Sequence, residues 1–179
     1  MPSNSLDRTL AEAGELTFQT RGGLTIRVRP ATVHDGPLLA DLMQRMSEDD
    51  LRFRFLTSGR ISAEQIAAMI EIDHRHTEHV LAFDAATGTL VASMMVVANQ
   101  EMDTAEVAIA EALEYHGKGI GWTLLGHAVD LARERGLKKL RSFESRENYE
   151  AILVERDLGF RARTVEGDPS LVMLEADLA

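Results

Sequence analysis

His116-Gly117-Lys118-Gly119-Ile120-Gly121-Trp122 is the stretch on which the fold of this chain turns. Its three glycines lead directly into Leu124, Leu125, Ala128, Val129 and Ala132, whose spacing is that of an amphipathic helix closed by Arg133, Arg135 and Gly136. Glycine lets a backbone come close to a ligand, and the first amides of a helix offer unpaired N–H groups and a partial positive charge. A phosphate or pyrophosphate is the expected guest. Two common nucleotide motifs fail. G-x-G-x-x-G begun at Gly117 needs glycine where Trp122 stands, begun at Gly119 it needs glycine at Leu124, and a P-loop needs Ser or Thr where Gly119 follows Lys118. A tight turn whose glycines serve packing alone is the competing reading.

Outward from this turn, the pattern is mixed α/β. Glu15 to Thr20 and Leu24 to Arg29 alternate apolar and polar around Arg21-Gly22-Gly23, the signature of a hairpin. Asp35 is a possible N-cap for a helix through Leu38, Leu39, Leu42, Met43 and Met46, and a second helix is expected from Ser62 through Ile70. His79 to Asp84, Thr89 to Val97 and Thr104 to Glu111 read as a meander in the middle of a sheet. After the glycine turn and its helix come a strand (Leu140 to Phe143), a helix (Asn148 to Leu158) and two short strands, one after Gly159 and one near Leu171 to Leu174.

Composition bounds the function classes. The chain has 179 residues, with 19 Lys+Arg against 29 Asp+Glu, a formal charge of −10. Such a chain repels nucleic acid as a whole, because phosphate neutralisation needs clustered Lys and Arg. No stretch reaches the roughly 18 apolar residues of a membrane span. The charged and unpatterned start excludes a secretory signal. With no cysteine, thiol nucleophiles, disulfides and Cys-zinc sites are all excluded, which is compatible with a cytoplasmic protein. One domain over 21–179, preceded by a partly flexible N-terminal extension over 1–20, is the expected organisation.

The turn itself resembles the acetyl-CoA signature of the GNAT superfamily of N-acetyltransferases, Gln/Arg-x-x-Gly-x-Gly/Ala, with His116 at the first position in place of Gln or Arg. Asn148-Tyr149-Glu150-Ala151 followed by Leu158-Gly159-Phe160 is similar to a second stretch of that family, and Ile26 to Ala31 with Asp35 looks like its first strand and helix start. The resemblance covers most of residues 24–175. It implies a GNAT-like α/β fold: a mixed, mostly antiparallel central sheet flanked by helices, with acetyl-CoA bound at the strand-to-helix glycine turn. Ser47, with Arg54-Phe55-Leu56 after it, and Ala105-Glu106-Val107-Ala108 are most similar to bacterial Pat-type protein lysine acetyltransferases, without their nucleotide-sensing domain.

That resemblance implies direct attack of an amine on acetyl-CoA. A lysine amine is protonated at neutral pH, so a base is needed, and Glu106 stands where Pat-type enzymes carry their catalytic glutamate. The main chain of Ile109, Ala110 and Glu111 would line the pantetheine and donate to the oxyanion. The pyrophosphate would rest on Gly117, Lys118, Gly119, Ile120, Gly121 and Trp122, and Asn148 would touch the pantetheine or cap its helix. Many relatives place a tyrosine general acid seven residues after that Asn; Glu155 occupies the position here, leaving the thiolate to depart unassisted or to take a proton from water. Tyr149 reads as a partly buried helix aromatic. The expected acceptor is a protein lysine. The alternatives are a small amine such as a polyamine, an aminoglycoside or an amino acid, or a non-catalytic acyl-CoA-binding module.

His74-Arg75-His76-Thr77-Glu78-His79 offers three imidazoles in six residues but reads as a solvated loop or strand entry, and no metal is expected. Met94 and Met95 read as core filling, with contact to the acyl group or substrate as the other option. Residues 117–146 carry a net +4 and the remainder −14, which places a basic segment where an anionic cofactor should lie.

Overall fold

The computed structural model describes residues 14–55 and 60–179. Residues 1–13 of the expected extension, and Leu56, lie outside the described residues. A hairpin comes first: β1 (Leu16–Gln19) pairs antiparallel with β2 (Thr25–Pro30), Leu16 opposite Val28 and Gln19 opposite Thr25. Its turn is closed by Gly23 at φ 83°, a left-handed conformation that glycine adopts without penalty. β1 is thus an edge strand of the sheet, and a boundary at residue 20 falls inside this hairpin.

Three helices follow. α1 (Gly36–Arg45) starts at Asp35, as its apolar spacing predicts, but the Asp35 side chain does not cap it. Its carboxylate instead accepts two bonds from Arg29, each 2.8 Å, and one from the Thr32 amide at 2.6 Å, so the guanidinium holds it down to about 2. α2 (Glu48–Phe55) was not legible in the pattern. It buries no residue and has no apolar stripe, and its sequence support is Glu48, Asp49 and Asp50 in the first turn with Arg52 and Arg54 in the last, the order that complements a helix dipole. α3 (Ala63–Ile70) has a complete capping box, Ser62 with Gln65.

β3 (Thr77–Asp84), β4 (Leu90–Ala98) and β5 (Thr104–Glu111) form the expected central meander. A single 3-10 turn at Leu113–Tyr115 and the glycine turn lead into α4 (Ile120–Glu134), which crosses over to β6 (Lys139–Ser145). Then come α5 (Tyr149–Asp157), β7 (Arg161–Thr164) and β8 (Leu171–Asp177). The sheet order is β1-β2-β3-β4-β5-β6-β8-β7, antiparallel at every junction except β5 with β6. This is the mixed, mostly antiparallel sheet expected.

Helices cover both faces. On one, Leu124, Leu125 and Ala128 of α4 pack on Val28, Met94, Val107, Leu140 and Leu174. On the other, Leu39, Leu42 and Met43 of α1 and Ile66, Met69 and Ile70 of α3 pack on Leu81, Leu90 and Ala110. Full burial of one such side chain is worth about 1.5–3 kcal/mol, so the two layers fix the strand that carries the site from both sides. His79 is part of this interior and not of a solvated loop: fully buried, it bonds the Met69 carbonyl through Nδ1 at 2.7 Å. Met94 is core, as expected.

Candidate functional site

β5 and β6 run side by side only from Thr104 opposite Lys139 to Glu106 opposite Arg141. Beyond that point β6 continues its pairing with β8 alone and β5 with β4 alone, so the two parallel strands part. The gap opens into a cavity of ≈ 740 Å³, within the usual range for ligand sites. Glu106, Val107, Ile109 and Glu111 of β5 form one wall, Ser142 and Glu144 of β6 the other. The glycine turn closes one end, and Asp50 and Arg54 of α2 lean over it.

The glycine turn does both things the sequence left open. Gly117 and Gly119 have φ 77° and 81°, and Gly119 is the N-cap of α4, so the chain reverses there and aims the first amides of a 15-residue helix at the cavity. Packing is served as well. A Cβ on Gly119 would come within 3.1 Å of the Arg21 amide nitrogen, and one on Gly22 would stand 2.5 Å from the Lys118 carbonyl oxygen. The Thr20 hydroxyl donates to that same carbonyl at 2.6 Å. The first hairpin therefore buttresses the turn. Trp122 is held under the Arg21 guanidinium, 3.8 Å from its ring, and its buried indole Nε1 has no hydrogen-bond partner among the described residues. A buried donor without a partner beside a helix N-terminus fits an anionic ligand.

Of the residues expected at the site, Glu106, Ile109, Glu111, Gly117, Gly119, Ile120, Gly121, Trp122 and Asn148 line the cavity. Ala110 and Lys118 do not. Strand alternation turns Ala110 to the opposite face, where it is buried against α1, and the Lys118 ammonium lies over the Tyr115 ring at 4.7 Å. Asn148 stands at the N-cap position of α5 without capping it; its amide donates to Glu144 Oε2 at 3.0 Å. His116, in place of Gln or Arg, reaches Asp50 at 3.0 Å and ties the turn to α2. Tyr149, expected to be partly buried, is 72% exposed.

The electrostatics correct a larger expectation. None of the cations of residues 117–146 lines the cavity: Arg135 pairs with Glu78, and Lys139 and Arg141 pair with Glu175. The cationic side chains on the wall are Arg21 and Arg54. Desolvation of the half-buried Arg54 lowers its pKa, and among the described residues its Nη2 bonds Met95 Sδ at 3.5 Å while Nε has no partner. Around it stand carboxyls. Burial, with Asp50 and Glu150 nearby, pushes Glu111 up to about 7. Burial also raises Glu144 and Glu155, both on the cavity wall. The Ser142 hydroxyl donates to Glu155. Asp50, Arg54, Ser142 and Glu144 were not read as site residues from the sequence; the nearest signal was Arg54, in the Ser47-to-Phe55 likeness.

Residues 42–160 match the acetyltransferase (GNAT) family. The chain belongs to that family. Among curated proteins, this GNAT chain is 28% identical over 131 residues to the acetyltransferase PA5475 of Pseudomonas aeruginosa, covering 70% of the chain and 69% of that protein. Among solved structures it is similar to the GNAT domain of S. lividans PAT, with TM-score 0.84 and 28% identity over 92% of this chain and 97% of that one. It also shares its fold with the spermidine N-acetyltransferase of Vibrio cholerae, solved with CoA and spermine, at TM-score 0.70 and 19% identity over 86% of this chain and 95% of that one. The protein is an N-acetyltransferase, and the reading as a non-catalytic acyl-CoA module is set aside. The GNAT co-substrate acetyl-CoA suits the residues present: a slot between parted strands for an extended arm, and a helix N-terminus with an orphaned indole N–H for its phosphates.

Proposed function

We propose that this N-acetyltransferase acts in the cytoplasm on the side-chain amine of a protein lysine, by direct attack on acetyl-CoA with Glu106 as general base. The observation that carries the reading is the position of Glu106: the last residue of β5 paired with β6, solvent-exposed, on the cavity wall where the slot begins. A lysine ammonium with a reference pKa near about 10.4 must lose a proton before it can attack, and a carboxylate open to water at the mouth of the slot can take it directly or through water. The carbonyl oxygen then gathers charge, and the main-chain amides of Ile109 and Glu111, on the stretch of β5 that no longer pairs with β6, are the donors suited to it, the Ala110 amide facing β4. The pyrophosphate would lie on the amides of Gly117 to Trp122, and Asn148 beside the pantetheine.

The 28% identity to the GNAT domain of S. lividans PAT over nearly all of both chains supports the Pat-type reading. An exposed apolar strip at the rim supports a macromolecular acceptor: Leu153 is 62% exposed and Phe143 41%, both lining the cavity, with Tyr149 beside them. The carboxylates Asp50, Glu106, Glu111 and Glu150 in one cavity favour a second reading, a polyamine acceptor. Thiol release from acetyl-CoA decides between them. Turnover with lysine-containing peptides and none with spermidine upholds the protein acceptor; the reverse result refutes it.

A further inference from the structure

The helices leave part of the sheet bare. α1 and α3 lie on residues of β3, β4 and β5, and among the described residues the apolar cluster beneath them takes nothing from β6, β8 or β7. Alternation fixes what β6 and β8 show on that side. Leu140 and Ser142 of β6 and Val172 and Leu174 of β8 turn towards α4 and α5, so Arg141, Phe143, Leu171, Met173 and Glu175 turn the other way. The contacts agree: Lys139, Arg141 and Arg163 converge on the Glu175 carboxylate at 3.1, 2.6 and 3.5 Å. The register lays out two rows across the strands. In the first, Glu106, Arg141, Glu175 and Arg161 stand side by side. In the second, Phe143, Met173 and Arg163 do so, and Phe143 and Leu171 are also on the cavity wall. The bare face is therefore continuous with the mouth of the slot and begins at Glu106.

Its charge sets this face apart. Three cations share the Glu175 carboxylate, Asp177 reaches only Lys139 at 4.0 Å, and Arg161, exposed on the edge strand, has no ion-pair partner among the described residues. On a chain of net charge −10 this leaves a cationic strip around an apolar patch. We propose that this face holds the acceptor polypeptide and selects lysines that have an apolar residue close by in the sequence and acidic residues just beyond it. The proposal rests on the protein-lysine reading above. With neighbouring strands about 4.8 Å apart, Arg161 stands roughly 14 Å from Glu106, a distance that about four to five extended residues span at about 3.3 Å each. A segment whose lysine enters the slot at Glu106 crosses Phe143 and Met173 first, where an apolar side chain is covered, and then brings an aspartate or glutamate to Arg161 and Arg163. The apolar contact adds affinity, and the charges decide which segment is accepted. A free polyamine has no carboxylate to offer here and is repelled by the same arginines.

Thiol release from acetyl-CoA with matched lysine peptides tests this, the residues about four and five positions away on either side of the lysine being glutamate, glutamine or lysine. The unaltered protein is expected to use the glutamate peptide with kcat/KM roughly three- to tenfold above the glutamine peptide, through KM, and the gap should narrow as salt is raised. Arg161→Glu combined with Arg163→Gln should bring that ratio to about one, whereas Arg156→Glu, a charge reversal at an exposed position of α5 on the other side of the sheet, should leave it in place. Equal use of the three peptides by the unaltered protein, or a preference for the lysine-flanked one, overturns the docking face without any variant. A ratio that the double variant leaves unchanged overturns it as well. So does sedimentation of the unaltered protein as a dimer that the double variant separates, because the face then belongs to a second copy. Turnover of spermidine with none of any lysine peptide overturns the protein-lysine reading and this proposal together, whereas turnover of the peptides without discrimination overturns this proposal alone.

Discussion

Replacing Glu111 with glutamine should stabilise this protein, and only above mildly acidic pH. The Glu111 carboxyl sits at the end of β5, with its Oε2 3.6 Å from where a Cβ on Gly121 would be, and it has no salt-bridge partner among the described residues. Burial, then Asp50 and Glu150, push it from an ordinary 4.5 up to about 7. The folded protein therefore keeps a proton that the unfolded chain gives up as pH rises past the ordinary carboxylate value. Folding stability falls through that window and is level above about pH 7, since the unfolded state binds fewer protons there. At about 1.4 kcal/mol per pH unit the gap amounts to roughly 3 kcal/mol, and partial solvent access trims it to about 2–3. Glutamine keeps shape and hydrogen-bonding capacity without the charge. Near pH 4.5 the variant should match the parent; at pH 8 its melting temperature should lie roughly 5–10 °C higher, at ~2–4 °C per kcal/mol for a chain of this size. The same carboxylate faces the amides that would hold the pyrophosphate, so acetyl-CoA should bind the variant more tightly at pH 8 and equally at pH 6. Melting curves at several pH values with and without acetyl-CoA read both effects. A gap that is the same at pH 5 and pH 8, or a less stable variant at pH 8, refutes the assignment of Glu111 as an uncompensated buried carboxyl.

Three further outcomes follow from the geometry. Glu106→Gln should cut turnover by about 10²–10⁴ with acetyl-CoA affinity unchanged, read by thiol release and by ligand-dependent melting; full activity removes Glu106 as the base. Gly22→Ala pushes a methyl against the Lys118 carbonyl, 2.5 Å away, where neither backbone can give, and should cost about 1–3 kcal/mol and weaken acetyl-CoA binding; Gly23→Ala, with open space around it, should cost only the left-handed penalty of about 1–2 kcal/mol and leave binding alone. Burial lowers the pKa of His79, so the unfolded chain takes up a proton as pH falls below about 6.5 and the folded protein does not. Stability should decline on that side, and His79→Gln should flatten the decline in melts between pH 7.5 and 5.

The sequence pattern carries information only where burial is one-sided and periodic. α1 and α3 each lay an apolar stripe on the sheet, and α4 follows glycines that can only be a turn, so all three are legible within a residue or two. α2 fully buries no side chain and rests on the body through partly buried Leu51 and Phe55, His116 with Asp50, and Arg54 with Met95, contacts between residues far apart in the chain; no local periodicity records them. Asp35 and Asn148 show the same limit at single residues. Each stands where a capping residue should, and each gives its side chain to a partner outside the first helical turn, Arg29 in one case and Glu144 in the other. A cap position can be read from the sequence, whereas the partner a polar side chain selects depends on which strand passes beside it.

Net charge along the chain misleads for a related reason. The surplus of cations in residues 117–146 is real, but the β6 and α4 side chains that carry it find acids on neighbouring elements, Glu175 on β8 and Glu78 on β3, before they reach any ligand. A strand with one neighbour on each side spends its charges sideways. What faces the slot instead is a set of main-chain amides at the start of α4, two arginines, and carboxyls whose pKa values burial raises. An anion held by amides needs no lysine, because the helix N-terminus already supplies fixed donors and partial positive charge. The carboxyls can then remain in the cavity, where the proposed removal of a proton from an amine has use for one at the mouth.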